Sequence, residues 1–175
     1  MFHTLLEIVA NNYTAYVGKD YPQIWDIGGS VRKVSRFNEP TIHYAVDDDA
    51  QWNSTLPLGG GMLHLGPERR PFSISLFHQL RCLDILRREI HARTKAGDKT
   101  SQASELSTHC MNYLRQMILC RADTRLEPGR HHYGPHITGW TITGTCNNYE
   151  AVFSAANRNY EETRLAGDLV QRMEI

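Results

Sequence analysis

The chain has 175 residues, and its 19 Lys+Arg balance 19 Asp+Glu, so it carries no formal net charge. That length suits one domain with its own core, and 41% hydrophobic with 22% charged residues is globular composition rather than disorder. A neutral chain lacks the surplus of Lys and Arg that sequence-independent nucleic-acid binding needs, and its apolar runs, such as Ile8-Val9-Ala10, fall far short of the about 20 residues of a membrane span.

In chain order, Leu5–Val17 fits a short helix, and Met1-Phe2-His3 has no basic segment that would open a signal peptide. Thr41–Val46 is rich in β-branched and aromatic residues and reads as a strand. Gly59-Gly60-Gly61 lacks the Lys-Ser/Thr ending of a phosphate loop, so these glycines read as a hairpin or a close backbone approach. Pro71 can open a helix, because a first-turn proline loses no intrahelical hydrogen bond. Leu76, Leu80, Leu83, Leu86 and Ile90 then recur at helical spacing up to a stop near Gly97. A second helix is predicted from about Ser104 to Cys120, with Leu106, Cys110, Leu114, Met117 and Ile118 as its stripe. Thr138–Thr143 reads as a strand. A third helix opens at Asn147, with Glu150 completing a capping-box pattern, and carries Tyr149, Val152, Phe153, Ala156 and Tyr160 on one face. The expected fold is a single, mainly α domain over residues 1–175, with two central helices, a C-terminal helix and a few short β strands.

Nine His and four Cys stand out, and a His and a Cys occur together early in each of the two central helices. His78, Arg81 and Cys82 stand at i, i+3 and i+4, and so do Leu106, His109 and Cys110. Such positions share one helix face, with Cβ atoms about 5–6 Å apart. Packing these two faces together brings His78 and His109 into one site. Imidazole suits copper, zinc, iron and nickel, while thiolate favours copper(I) or zinc. The bland alternative is that each is a packed core residue. Cys82, Cys110, Cys120 and Cys146 contain no Cys-x-x-Cys pair, and they allow two disulfides in three connectivities. In an oxidising lumen, Cys120 with Cys146 and Cys82 with Cys110 is one such pairing; in the cytosol all four are thiols. The sequons at Asn12 and Asn53 are weak support for a secretory compartment.

The segments Phe77–Leu83 and His109–Asp123 resemble the two signature blocks of the fungal UstYa-like family, which carry paired His-x-x-His-Cys motifs. Asp49-Ala50-Gln51-Trp52 with Leu56–Gly61 resembles the family's acidic-Trp and Gly-rich segment, and Cys146–Val152 its C-terminal Cys block. The resemblance is strongest over residues 45–155. It implies an oxidoreductase or cyclase of secondary-metabolite biosynthesis, acting on a peptide or polyketide-type intermediate. It further implies copper held by the motif residues His78, His109, Cys82 and Cys110. Family members usually carry an N-terminal membrane anchor, and none is expected from the residues of this sequence. The expected location is the secretory lumen if an anchor has been removed, and the cytoplasm otherwise.

Three positions depart from the family pattern. Arg81 replaces the second His of the first motif, Leu106 the first His of the second, and Gly144 a His near Cys146. None of the three can ligate a metal. Three accounts follow. The metal survives with substitutes from His131, His132 and His136. Alternatively no cofactor is used: His78 and His109 act as general acid and base, and Arg81 holds a carboxylate, giving a cyclase or dehydratase. In the third, the chain is a non-catalytic partner in an oligomer with a related oxidase. Asp123 and Glu127 are candidate partners for a histidine, and Trp52 and Trp140 candidate pocket walls.

Overall fold

The computed structural model describes residues 15–29, 31–38, 43–98, 100–126 and 142–173. Its elements run β1 (Lys33–Asn38), α1 (Asp49–Asn53), β2 (Met62–Leu65), β3 (Arg70–Ser73), α2 (Ser75–Ala96), α3 (Glu105–Arg121), β4 (Ile142–Asn147) and α4 (Tyr149–Met173). The architecture is mainly helical, as expected. The strands form two antiparallel pairs, β1 with β4 and β2 with β3. No helix among the described residues is long and apolar enough to cross a membrane.

The core lies where the β2–β3 hairpin, the first turns of α2 and the first half of α4 meet. Leu63, Phe77 and Ala156 are its buried centre, with Leu76, Leu80, Val152 and Phe153 packed around them. The glycine run makes this approach possible. Gly61 has φ 77°, and a Cβ there would lie 2.7 Å from the Phe77 ring. Gly59 has φ 64°, and its Cβ would lie 2.4 Å from Tyr160. The close backbone approach read from the sequence is therefore what the three glycines provide.

Several boundaries differ from expectation. Pro71 does not open α2; it sits in β3 opposite His64. A residue without an N–H is tolerated at the edge of a two-stranded hairpin as well as in a first helical turn, and here the strand claims it. The helix begins four residues later, after Ile74, and ends at Gly97 in the left-handed region, whose N–H caps the Thr94 carbonyl at 3.2 Å. Asn147 does not cap α4, because it is held in β4 opposite Lys33. Asn148 takes that place and accepts the Glu150 N–H at 3.2 Å.

The strand expected over Thr41–Val46 is absent where it is described. Tyr44 has φ 60°, and Trp52 Nε1 donates to the Ala45 carbonyl at 2.9 Å, folding this stretch over α1. Of the expected Leu5–Val17 helix, residues 5–14 lie outside the described residues. Val17 itself bridges Asp20 across a tight turn. Residues 142 and 143 of the expected 138–143 strand are described, and both belong to β4.

Candidate functional site

Helices α2 and α3 pack antiparallel, and their register follows from three contacts. His78 meets Tyr113, Cys82 meets Cys110, and Glu89 meets Ser104, so partners fall in number along α3 as they rise along α2. Ser104 caps α3 by accepting the Ser107 N–H at 3.1 Å, while its own hydroxyl donates to Glu89 at 2.7 Å. The cap of one helix is thereby tied to the flank of the other.

This register brings the two predicted histidines together. The ring centroids of His78 and His109 lie 6.0 Å apart, with planes 21° from parallel. Tyr113 lies against His78 at 4.0 Å and 23°. It stands 6.3 Å from His109, whose plane it matches within 4°. The short side of this triangle is His78–Tyr113, so His109 lies beside the stacked pair, not on top of it. His78 is half-buried and His109 exposed, which leaves the pair open to solvent. Tyr113 was missed by motif reasoning, although it stands one turn after His109 at i+4, the spacing that puts it on the same face.

The motif cysteines lie deeper. Cys82 and Cys110 are each 1% exposed, lie close to one another and are not bonded in the structure. Burial, then the neighbouring thiol, pushes Cys82 well above the ordinary thiol range. Burial also raises the Tyr113 phenol, and charge at Cys82 adds to the effect.

The three departures have distinct structural outcomes. Arg81 Nη2 donates to the Gly60 carbonyl, pinning the glycine loop to α2, and a Cβ at Gly60 would lie 2.7 Å from that nitrogen. Gly144 is buried under Arg125; a Cβ there would lie 2.5 Å from Arg125 Nη1. Arg125 is held by Asp123 at 2.8 Å, which explains the carboxylate that sequence reasoning had offered as a histidine partner. Leu106 is 56% exposed. Glu127, His131, His132, His136 and Trp140 lie outside the described residues.

The acidic-Trp segment is a clamp. Asp48 caps α1 through the Gln51 N–H at 3.0 Å. Asp49 then meets buried Arg87 at 2.5 Å, Arg87 reaches Asp84 at 2.7 Å, and its guanidinium lies 5.5 Å over the Trp52 ring. Trp52 thus braces α1 against α2.

A cavity of about 950 Å³ lies elsewhere, among Trp25, Phe72, Tyr149, Arg121, Arg125 and Cys146; neither motif histidine lines it. Among the described residues no group of three or more His, Cys, Asp or Glu converges as a metal cage. The imidazoles that this helix pair does bring together are His78 and His109, one half-buried and one open to solvent.

Comparison with known proteins sets this geometry in context. A family model described as mycotoxin biosynthesis protein UstYa matches residues 19–159. The chain is 34% identical over 113 residues to oxidase ustYa of Aspergillus flavus, covering 63% of this chain and 52% of that protein. It is 30% identical over 125 residues to the UstYa family oxidase phomYb of Diaporthe leptostromiformis, covering 62% and 49%. To oxidase ustYb of Aspergillus flavus it is 26% identical over 144 residues, covering 61% and 55%. The chain spans about half the length of these curated relatives. No solved structure is significantly similar to it.

Proposed function

Because the chain belongs to the UstYa family of mycotoxin biosynthesis proteins, we propose that it is an oxidase of secondary-metabolite biosynthesis that modifies or cyclises a peptide or polyketide-type intermediate. The observation that carries this reading is the side-by-side placement of His78 and His109 on facing helices, 6.0 Å apart. In this reading the two imidazoles hold copper, which when bound supplies one-electron redox chemistry. The chain's own groups do the rest. Tyr113 covers one face of His78 and keeps the ring turned along its neighbour. The exposed side of His109 admits substrate. Arg81 holds the glycine loop beside α2 and so shapes the approach, rather than ligating. Cys82 and Cys110 are engaged with each other and stay out of the ligand set.

Anaerobic titration with copper(I), in competition with a coloured chelator, tests this directly. One ion per chain is expected, with binding lost in His78→Ala and in His109→Ala while the helical circular dichroism is kept. Absence of binding by the parent chain overturns the copper reading.

A second reading has its own observation: only two imidazoles converge among the described residues. A metal-free pair then acts as general acid and base, since imidazole changes charge near neutral pH. Turnover that survives chelator and the exclusion of dioxygen would select it. Activity appearing only after addition of a full-motif relative would instead identify a non-catalytic partner.

A further inference from the structure

We infer that Cys82 and Cys110 form a disulfide that fastens α2 to α3 behind the His78–His109 pair, a covalent link that goes beyond the proposed oxidase reading. Three observations converge on it. Both sulfurs are out of water, each residue being 1% exposed. They come from two different helices and lie near enough to act on each other. The helix register that opposes them is fixed independently on both sides, by His78 against Tyr113 at 4.0 Å and by Ser104 on Glu89 at 2.7 Å. Cys82 lies one turn beyond His78, and Cys110 directly follows His109, so the link stands immediately beneath the imidazoles. The remaining cysteines are placed otherwise: Cys120 is exposed, and Cys146 is half-buried beside Arg125.

The chemistry is thiol–disulfide exchange with a soluble disulfide such as oxidised glutathione. One cysteine attacks the reagent and releases one equivalent of reduced thiol. The second cysteine then attacks the mixed disulfide and releases another. Two protein S–H bonds and one reagent S–S bond are exchanged for one protein S–S bond and two reagent S–H bonds, so two electrons pass to the reagent. With both sulfurs buried, exchange requires the helix pair to open. The bond is therefore set as the chain folds and then persists in the folded state. Once formed, it removes both sulfurs from any ligand set and leaves the imidazoles as the donors.

The test is to refold the full chain in glutathione redox buffer, denature it without reductant and alkylate it. Cys120 and Cys146 are expected to label, with all four cysteines labelling only after reduction. Peptide mapping should find an α2 peptide joined to an α3 peptide through Cys82 and Cys110. Reduction should lower the melting temperature by about 5–10 °C, as expected for opening a loop of roughly 30 residues. Full labelling of Cys82 and Cys110 after oxidative refolding, or a link from either to Cys120 or Cys146, overturns the inference. A Cys120→Ser/Cys146→Ser variant sharpens the answer: no free thiol after oxidation supports the link, and two free thiols refute it. Mapping of the parent chain stands whether or not that variant folds. Because no copper or substrate enters the experiment, its result is independent of the oxidase reading.

Discussion

The two halves of α2 are held by opposite means. Its first turns are held by hydrocarbon: Phe77 is 1% exposed and packs with Leu76 and Leu80 against Leu63, Ala156 and Val152. Its later turns are held by charge. Arg87 is buried among Asp84, Asp49 and the Val46 carbonyl, and Arg93 bonds to Glu89 and to the Ser101 and Gln102 carbonyls. Apolar residues of the same stripe, Leu83 and Ile90, are 44% and 57% exposed there. His78 and Cys82 sit where the first regime gives way to the second. Non-directional burial fixes where the site lies, and directional bonds at the far end fix the register that pairs its residues.

That contrast can be broken at either end. Phe77→Ala should cost the most, about 3–5 kcal/mol in urea unfolding, because it empties the centre of the core beneath the glycine run. Arg87→Met should cost less, about 1–3 kcal/mol. It removes a side chain that is 5% exposed, but its partner Asp49 is 65% exposed and water takes over part of the lost attraction. A larger loss for Arg87→Met than for Phe77→Ala would show that charge, not hydrocarbon, anchors this helix.

Between these ends, Tyr113 tests how the pair is kept in line. Replacing it by Ala removes the ring that covers His78 at 4.0 Å. Copper(I) affinity should then fall roughly 10–100-fold, the usual effect of losing a group that orients a ligand. Tyr113→Phe keeps the ring and should stay within a few-fold of the parent chain. Equal losses for both variants would assign the effect to the hydroxyl instead of the stack.

Much of this was legible before the coordinates, and the division follows the physics. Helical spacing and caps are local, so α2, α3 and α4 were readable, and the i, i+3, i+4 rule put His78 and His109 on faces able to meet. Pro71 misled because proline satisfies a strand edge and a first helical turn equally well. Arg87 was not legible at all: a guanidinium among leucines reads as a surface residue until Asp49, distant in sequence, is seen to cover it. The reason for Gly144 likewise needed Arg125 in space. Resemblance could flag a missing histidine, but not that an arginine occupies the room a side chain would need.

The smallest expected effect is the pH dependence of the polar end. Glu89 is held at about 2 by the Ser107 and Ser104 hydroxyls beside it, with the Ser104 N–H and Arg93 adding to them. Ser104 makes the well-formed bond, at 2.7 Å, whereas Ser107 Oγ, though close, lacks the alignment of a full hydrogen bond. A carboxyl whose folded value lies below its unfolded value of about 4.3 favours folding while it is ionised. Its contribution is therefore complete above that unfolded value and is lost as pH falls through the range from about 4 to about 2. Asp98 is held at about 2 as well, and Asp49 and Asp123 are also lowered, so the acid transition of the parent chain alone sums several groups. Glu89→Gln isolates one of them. The parent chain should melt above the variant at pH 6, and the gap should close as pH approaches 2. A gap that stays constant across this range would mean that Glu89 acts at the α2–α3 seam through shape alone, and the register of the histidine pair would then owe nothing to its charge.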